Sequence, residues 1–262
     1  MKKTLIALAV ATSAVVSGSA MAWTAGGNGG SVEIGGTLTP ETVVLPWEVK
    51  TGSNIADLNA KIKKGQSKVD IVASKAIPVL GIRSTGWFDG KAGINPQINY
   101  GGAIDVQGFN REVTTLSLEV QNAEGNKIGS LTAPFFATAM RAYHKIVDGA
   151  DVYGHRSMFA ESAGQAFFGG LNTVYYSGIE DGSHLARVSA LDPEIVVNFV
   201  DVGNNFSSGA ASTDFNEAGV KFNSFYGSGI EKDQTIKITL DSPAESDAIT
   251  WKASLPVVVS YQ

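Results

Sequence analysis

Three histidines, His144, His155 and His184, are the side chains of this 262-residue chain best suited to bind a metal. No pair of them has the four-residue interval that places two imidazoles on one helical face, as a zinc site of the H-E-x-x-H type requires. Glu180 and Asp181 are adjacent carboxylates, which is more typical of a solvated loop than of an acid–base pair. Because the chain has no cysteine, it has neither a disulfide nor a thiol nucleophile. These residues predict no metal site.

Motifs that would indicate catalysis are also missing from the sequence. It contains no G-x-S-x-G or P-loop motif, and no G-x-G-x-x-G between a strand and a helix. The 20 Lys and Arg residues are outnumbered by 25 Asp and Glu residues, and the resulting net charge of −5 argues against binding to nucleic acid or to an anionic membrane surface. We therefore predict a protein that is not an enzyme, that needs no cofactor and that does not bind nucleic acid.

Residues 1–22 have the layout of a secretory signal peptide. Two lysines precede an apolar run at residues 5–16, and residues 20–22 read Ala-Met-Ala, the A-x-A cleavage pattern. The apolar run is shorter than the roughly 20 residues that a membrane-spanning helix needs, which argues against a membrane anchor. We predict an exported protein whose mature chain begins at Trp23.

A short alternating stretch lies close behind this signal. Val32, Ile34, Gly36 and Leu38 occupy every second position of residues 30–39, so on a β-strand they share one face. Three of them can fill apolar pockets, whereas Gly36 leaves a gap. Since no hairpin partner is evident nearby, we hypothesise that this strand pairs with another protein molecule. The alternative is that it forms the first strand of a self-contained sandwich.

Most of the remaining chain is predicted as short strands separated by turns. Residues 113–120 alternate between apolar and polar side chains, and a turn at residues 122–126 joins them to residues 127–131, which predicts a hairpin. Helical spacing predicts a short surface helix at residues 55–64 and a helix with one buried face within residues 157–171. A capping residue within residues 181–183 and the closing Asp192-Pro193 predict a short helix at residues 184–191. Further strands are predicted at residues 43–49, 69–72, 77–82, 97–100, 195–202, 219–222, 235–240, 249–251 and 253–262. A β-sandwich with a small helical insertion accounts for this order.

The sequence resembles the subunits of chaperone-usher fimbriae, within them the kappa class typified by the K-eighty-eight fimbrial adhesin of enteric bacteria and its minor subunits. The resemblance runs nearly from end to end, and the absence of cysteine fits the kappa class. The best-matching passages are residues 1–11, 28–39, 78–83, 121–130, 167–171, 199–202 and 251–261.

The resemblance implies a mainly β fold, an incomplete immunoglobulin-like sandwich completed by a donor strand. In this family the sandwich lacks its last strand, and a periplasmic chaperone first fills the apolar groove that results. At the outer-membrane usher, the N-terminal extension of a neighbouring fimbrial subunit replaces the chaperone, which is β-strand addition between molecules. The implied organisation is a signal peptide at residues 1–22, a donor-strand extension at residues 23–39, and a pilin domain at residues 40–262 with an inserted region at about residues 132–192.

Two sets of residues carry this mechanism if the resemblance holds. The donor-strand residues are Val32, Ile34, Gly36 and Leu38. The other set lies on the C-terminal strand, which alternates in the same way and borders the groove. This strand pairs with the chaperone, which grips the terminal carboxylate of Gln262. Its residues are Leu255, Val257, Val259, Tyr261 and Gln262.

The function implied is that of a subunit exported to the periplasm and polymerised by donor-strand exchange into a cell-surface fimbria that adheres to host cells. We favour a minor subunit. One alternative is the major receptor-binding adhesin, which recognises host glycans, and a second is an outer-membrane β-barrel, although the predicted strands are short for one. Tyr143, Tyr153, Tyr175 and Tyr176 lie in the inserted region and can stack on sugars, but we favour core packing or a nonspecific surface position for them, and no glycan contact is assigned.

Overall fold

The computed structural model describes residues 34–38, 44–175, 183–203, 210–245 and 247–262. The chain divides into two compact units, Met1–Glu41 and Thr42–Gln262. The signal peptide predicted at residues 1–22 lies outside the described residues. Within the described ranges, no helix has both the length and the apolar character needed to span a membrane.

The larger unit is built mainly from antiparallel β-strands, as the fold class predicted. It contains one short α-helix, α1 (Ser183–Leu191), followed by a 3-10 turn at Pro193–Ile195. The described strands are β1 (Trp47–Thr51), β2 (Lys68–Val72), β3 (Ile77–Ser84), β4 (Phe88–Asp89), β5 (Pro96–Asn99), β6 (Val113–Gln121), β7 (Lys127–Val147), β8 (Ala150–Ser157), β9 (Lys221–Ile230), β10 (Thr235–Leu240), β11 (Lys252–Ala253) and β12 (Val258–Tyr261).

The 21-residue strand β7 joins the two halves of the main sheet. Its first part pairs with β6 along one edge and with β10 along the other. Its second part continues between β8 and β9. The strand order β1-β3-β9-β7-β10-β2 therefore ends on two edge strands, while β5 and β12 form a separate pair.

The hairpin predicted from residues 113–131 is confirmed by the pairing of β6 with β7. Leu116 and Val120 point inward and are buried, whereas Ser117 and Glu119 between them are exposed. Gly125 sits in the connecting turn with a φ of 87°, a conformation that glycine adopts without steric cost. Alternation and turn chemistry therefore sufficed to predict this element.

A single large apolar core lies beneath strands from both halves of the sheet. At one end, the Trp47 ring meets Phe88 edge to face at a centroid distance of 5.0 Å, and the Trp47 indole N–H donates to the Ile94 carbonyl oxygen at 2.6 Å. Residues of β3, β6, β7, β9 and β10 fill the centre, among them Leu80, Ile82, Leu116, Leu131, Phe135, Phe222, Tyr226, Ile236 and Ile238. A core of this size stabilises the fold without any disulfide.

Helix α1, predicted at residues 184–191, is confirmed. Val188 and Leu191 are buried against Phe136, Met140 and Phe225 in a second, smaller apolar cluster. The helix ends at Asp192, whose amide donates to the Val188 carbonyl oxygen, and Pro193 cannot continue it.

A buried network of charged side chains lies at the N-terminal end of α1. The Glu112 side chain, 3% exposed, contacts His184 Nε2 at 2.9 Å and Arg187 Nη1 at 3.6 Å. The Arg187 guanidinium also makes two 2.8 Å hydrogen bonds with Glu231, which raise the pKa of Arg187, and lies 4.0 Å from the centroid of the Phe136 ring. These contacts fix α1 to β7 and β9.

The helix predicted within residues 157–171 is wrong, and of the apolar side chains expected on its buried face, Phe159, Ala166 and Phe167 are buried whereas Ala163 is exposed. Residues 159–171 fold as successive turns, in which Gly164, Phe167 and Gly169 all have positive φ. The Phe167 amide donates to the Pro96 carbonyl oxygen and the Ile98 amide to that of Phe168, so the segment pairs with β5. These tertiary hydrogen bonds replace those of a helix, while Ala166 and Phe167 remain fully buried.

The strand predicted at residues 195–202 is also wrong. The Asp192 side chain accepts a hydrogen bond from the Glu194 amide and starts the 3-10 turn. The chain then follows an irregular course along the smaller cluster, where the Phe199 ring meets Phe225 edge to face at 5.0 Å. The Val200 amide donates to the side-chain oxygen of Asn223 rather than to a strand.

Two shorter predictions are also wrong. Residues 55–64 are not helical, and their apolar side chains are only half-buried, so tertiary packing does little to stabilise a helix there. Residues 249–251 are not a strand, because pairing begins at Lys252, opposite Gln121, the last residue of β6.

Candidate docking site at the carboxyl-terminal strand

The C-terminal strand β12 is an outer strand with one open edge. It pairs antiparallel with β5, in a register that sets Val259 opposite Ile98 and Val258 opposite Asn99. The other edge of β5 is occupied by the segment around Phe168. No strand of the part of the chain that the structure describes pairs with the outer edge of β12.

The backbone of β12 presents hydrogen-bonding groups at this open edge. Gln262 and Asn95 exchange both of their backbone hydrogen bonds, at 3.0 and 3.1 Å. In an antiparallel ladder, hydrogen-bonded and non-hydrogen-bonded pairs alternate, so the N–H and C=O groups of Val259 and Tyr261 point away from β5. An edge of this kind is a template for another strand.

The side chains of this segment alternate between half-buried and exposed. Leu255, Val257, Val259 and Tyr261 are half-buried and pack on the main core. The residues between them, and Gln262, are exposed, with Val258 at 57%. Burial raises the pKa of the Tyr261 hydroxyl. The structure thus brings these four predicted residues together as an apolar row that is only partly covered.

The segment before β12 crosses from the main sheet to the separate pair formed by β5 and β12. Strand β11 pairs with the end of β6, and the chain then passes over Gly101 to reach β5. Gly101 has a φ of 63°, and a Cβ atom added there would lie 2.6 Å from Cγ of Pro256. Glycine at this position therefore lets the C-terminal segment lie close to the turn after β5.

The smaller unit contains the N-terminal alternating stretch, of which residues 34–38 are described. They form neither helix nor strand, and Ile34 and Leu38 are 95% and 98% exposed. A Cβ atom added at Gly35 or Gly36 would have no neighbour within 4 Å. Val32, the first residue of the predicted row, lies outside the described residues.

The tyrosines considered for glycan stacking do not converge on one site. Tyr153 is exposed and stacks on His144 at 4.4 Å, with Trp87 6.4 Å away. Tyr143 lies against Gly154 on the other face of the β7–β8 hairpin, and the exposed Tyr175 contacts Phe159 instead. Tyr176 lies outside the described residues. Sequence reasoning missed Trp87, because nothing in its local pattern links it to β8.

The three histidines have different partners. His144 Nε2 is 2.6 Å from Asp151 Oδ1, and His184 belongs to the network under α1. His155 is buried, and desolvation lowers its pKa. Glu180 and Asp181 lie outside the described residues.

Comparison with known proteins gives one consistent result. The family model described as "Fimbrial, major and minor subunit", of the K88 type, matches residues 1–262. The chain is similar to K88 fimbrial protein AD of Escherichia coli, with 30% identity over 295 aligned positions, and to K88 fimbrial protein AC of the same organism, with 28% over 293. It is 27% identical to the F41 fimbrial protein of Escherichia coli over 285 positions. Each alignment covers all of both chains.

Proposed function

The chain belongs to the K88 family of major and minor fimbrial subunits, and we propose that it polymerises by donating residues 32–38 to the open edge of the C-terminal strand, the counterpart of β12, on a neighbouring fimbrial subunit. As a member of this family it assembles with other fimbrial subunits in cell-surface fimbriae, and it is not an enzyme. Strand donation is the proposed means of that assembly.

The proposal rests on the open outer edge of β12. No strand of the described ranges pairs with its outer edge, which lies beside a row of half-buried apolar side chains, so an added strand gains main-chain hydrogen bonds and apolar contacts together. In this arrangement the backbone sets the direction of the incoming strand. The apolar row sets its register, because a shift of one residue turns every side chain to the opposite face.

Residues 32–38 have the matching pattern. On a strand, Ile34, Gly36 and Leu38 face the acceptor, while Gly35 and Thr37 face solvent. Ile34 and Leu38 are almost fully exposed in the free chain. Their burial would contribute about 3 to 6 kcal/mol, at about 1.5 to 3 kcal/mol per side chain.

The same edge of β12 has to be protected before assembly. An exported subunit with an unpaired edge and a partly covered apolar row is prone to aggregate. We infer that a periplasmic chaperone covers this edge after the signal peptide is removed, and that exchange for the donor strand takes place at the outer-membrane usher. The chaperone is thus the first occupant of the site and the neighbouring subunit the second.

A pair of substitutions on β12 tests the site. We expect Val259→Asp to lower the free energy of unfolding by about 1 to 3 kcal/mol and to reduce polymer yield, since it places a carboxylate in the apolar row. Val258→Asp, one residue away on the exposed face, should change stability by less than about 0.5 kcal/mol and leave polymers intact. Chemical denaturation and size-exclusion chromatography of both variants measure these effects. Equal behaviour of the two variants would contradict the assignment of the inward face.

Adhesion through this subunit itself is a second candidate function. The surface group formed by the exposed Tyr153 and the half-buried Trp87 and His144 favours it, because neighbouring aromatic rings can present an apolar face to the solvent. We propose that the subunit is a minor component and that adhesion belongs to the assembled fimbria. Binding of the purified, folded subunit to intestinal glycans distinguishes the two, since the absence of binding leaves a purely structural role.

A further inference from the structure

A positively charged cavity lies at the β7–β8 hairpin, on the face opposite Trp87 and Tyr153. Its volume is about 210 Å³. Arg141, Tyr143 and Lys145 of β7 form one wall and Arg156 of β8 another, and Glu217, Val220 and Phe222 complete the lining. Since β12 contributes nothing to it, this cavity is separate from the proposed docking site.

The charges around the cavity are unbalanced. Three cationic side chains face it, against the single carboxylate of Glu217. Asp214 also acts on Arg141, as a more distant negative charge. The lining therefore favours an anion, and the partly enclosed position of the cavity strengthens this preference relative to open solvent.

Arg141 is the residue most in need of an acceptor. Its Nε atom is buried and has no hydrogen-bond partner. Its guanidinium is held between the rings of Tyr143 and Phe222, 5.8 Å from each centroid. Burial, together with the nearby Arg156, lowers the pKa of Arg141. A partly desolvated cation is stabilised by a nearby anion, so an oxyanion in the cavity would offset the cost of burying the Arg141 guanidinium beside Arg156.

Tyr143 is positioned by an unusual neighbour. It lies across from Gly154, where an added Cβ atom would be 2.5 Å from its hydroxyl oxygen. The glycine lets the phenol ring lie against β8 and form the wall of the cavity. Gly154 thus leaves the space that the Tyr143 ring occupies at the wall of the cavity.

We propose that this cavity binds a compact oxyanion, a carboxylate or sulfate group, with Arg141 as its principal ligand. A guanidinium matches the planar, two-oxygen face of such a group, which a lysine ammonium does not. The volume is below the range of about 300 to 1,000 Å³ usual for drug-sized ligands, so the ligand is a small ion or one acidic group of a larger molecule. An acidic sugar and a free inorganic anion share this chemistry.

Calorimetric titration of the purified full-length protein at low ionic strength tests the proposal. The probes are inorganic sulfate, N-acetylneuraminic acid and, as a neutral control, lactose. We expect both anions to bind and lactose not to bind. Tighter binding of N-acetylneuraminic acid identifies an acidic sugar as the ligand, and tighter binding of sulfate identifies a free anion. Failure of both anions to bind at millimolar concentration, or equal binding of lactose, overturns the proposal.

Three variants make the test specific. Arg141→Gln should weaken anion binding about tenfold or more, because it removes a charged hydrogen-bond donor. Glu217→Gln, at an exposed position, should strengthen binding several-fold by removing the opposing charge, and it remains informative if Arg141→Gln does not fold. Lys221→Gln is the matched control, since Lys221 lies outside the lining and pairs with Asp89. Unchanged binding in both Arg141→Gln and Glu217→Gln would overturn the assignment.

Discussion

Replacing Gly36 with arginine is expected to abolish polymerisation without affecting the folding of the subunit. In the free chain a side chain at this position has open space, because a Cβ atom would meet nothing within 4 Å. In the proposed joint the same side chain would point into the apolar row of the acceptor, where an unpaired guanidinium is strongly unfavourable. Electron microscopy of surface fimbriae and size-exclusion chromatography of purified subunits measure the loss.

Gly35→Arg is the matched control for this substitution. Gly35 is equally unhindered in the free chain, but on a strand it faces the side opposite Gly36. We expect Gly35→Arg to polymerise normally. Normal polymerisation of Gly36→Arg, or equal loss in both variants, would contradict the proposed orientation of the donor strand.

Replacing Glu112 with alanine is expected to destabilise the domain strongly. The substitution removes the carboxylate that accepts from the buried His184, which keeps only the longer 3.3 Å contact with the Ser157 hydroxyl, and it removes one of the two carboxylates that Arg187 contacts. Breaking a buried pair costs about 3 to 5 kcal/mol, and we expect the lower end of that range because Arg187 retains Glu231. Chemical denaturation of wild type and variant in the same assembly state gives the difference.

Two controls separate this buried pair from the outer one. Glu231→Ala removes a partly exposed partner of Arg187 and should cost about 1 kcal/mol. Glu112→Gln retains an acceptor for His184 and should fall between the two alanine variants. If Glu112→Ala is as stable as Glu231→Ala, the network does not anchor α1 in the way the contacts indicate.

Local sequence patterns correctly predicted the elements whose structure is determined by residues close together in the chain. The β6–β7 hairpin follows from alternation and a glycine turn, and α1 follows from a capping residue before it and the proline after it. The alternation of the C-terminal segment likewise indicated which side chains the structure places half-buried. In each case the residues that determine the element lie within it or directly beside it in the sequence.

Tertiary hydrogen bonds explain the predictions that failed. The apolar spacing of residues 157–171 is helical, but the backbone of Phe167 and Phe168 pairs with β5, and three positive φ values preclude a helix. Helix propensity is a weak preference that such contacts outweigh. The alanine-rich residues 134–147 likewise continue β7, because β8 and β9 flank them on both sides.

The cavity at the β7–β8 hairpin could not have been predicted from sequence. Arg141 and Arg156 lie on different strands and Glu217 lies in a later irregular segment, and only the fold brings the three to one cavity. Trp87 and Tyr153 come together for the same reason. Sites assembled from side chains of different strands carry no local signature.

Disulfide cross-linking between two copies is the most direct test of strand donation. The chain has no cysteine, so Thr37→Cys in one copy and Val258→Cys or Ser260→Cys in another introduce the only thiols. These positions face solvent on the two strands of the proposed joint, and neighbouring strands bring such Cβ atoms within about 4.5 to 5.5 Å. Lys237→Cys, on the exposed face of β10, is the control acceptor.

Oxidised polymers of the paired variants should contain a covalent dimer that reductant dissociates, with Thr37 linked to one position of β12 and not to residue 237. That result would place the donor strand beside β12. Polymers that form normally but give no link to residue 258 or 260, or that link equally well to residue 237, would contradict it.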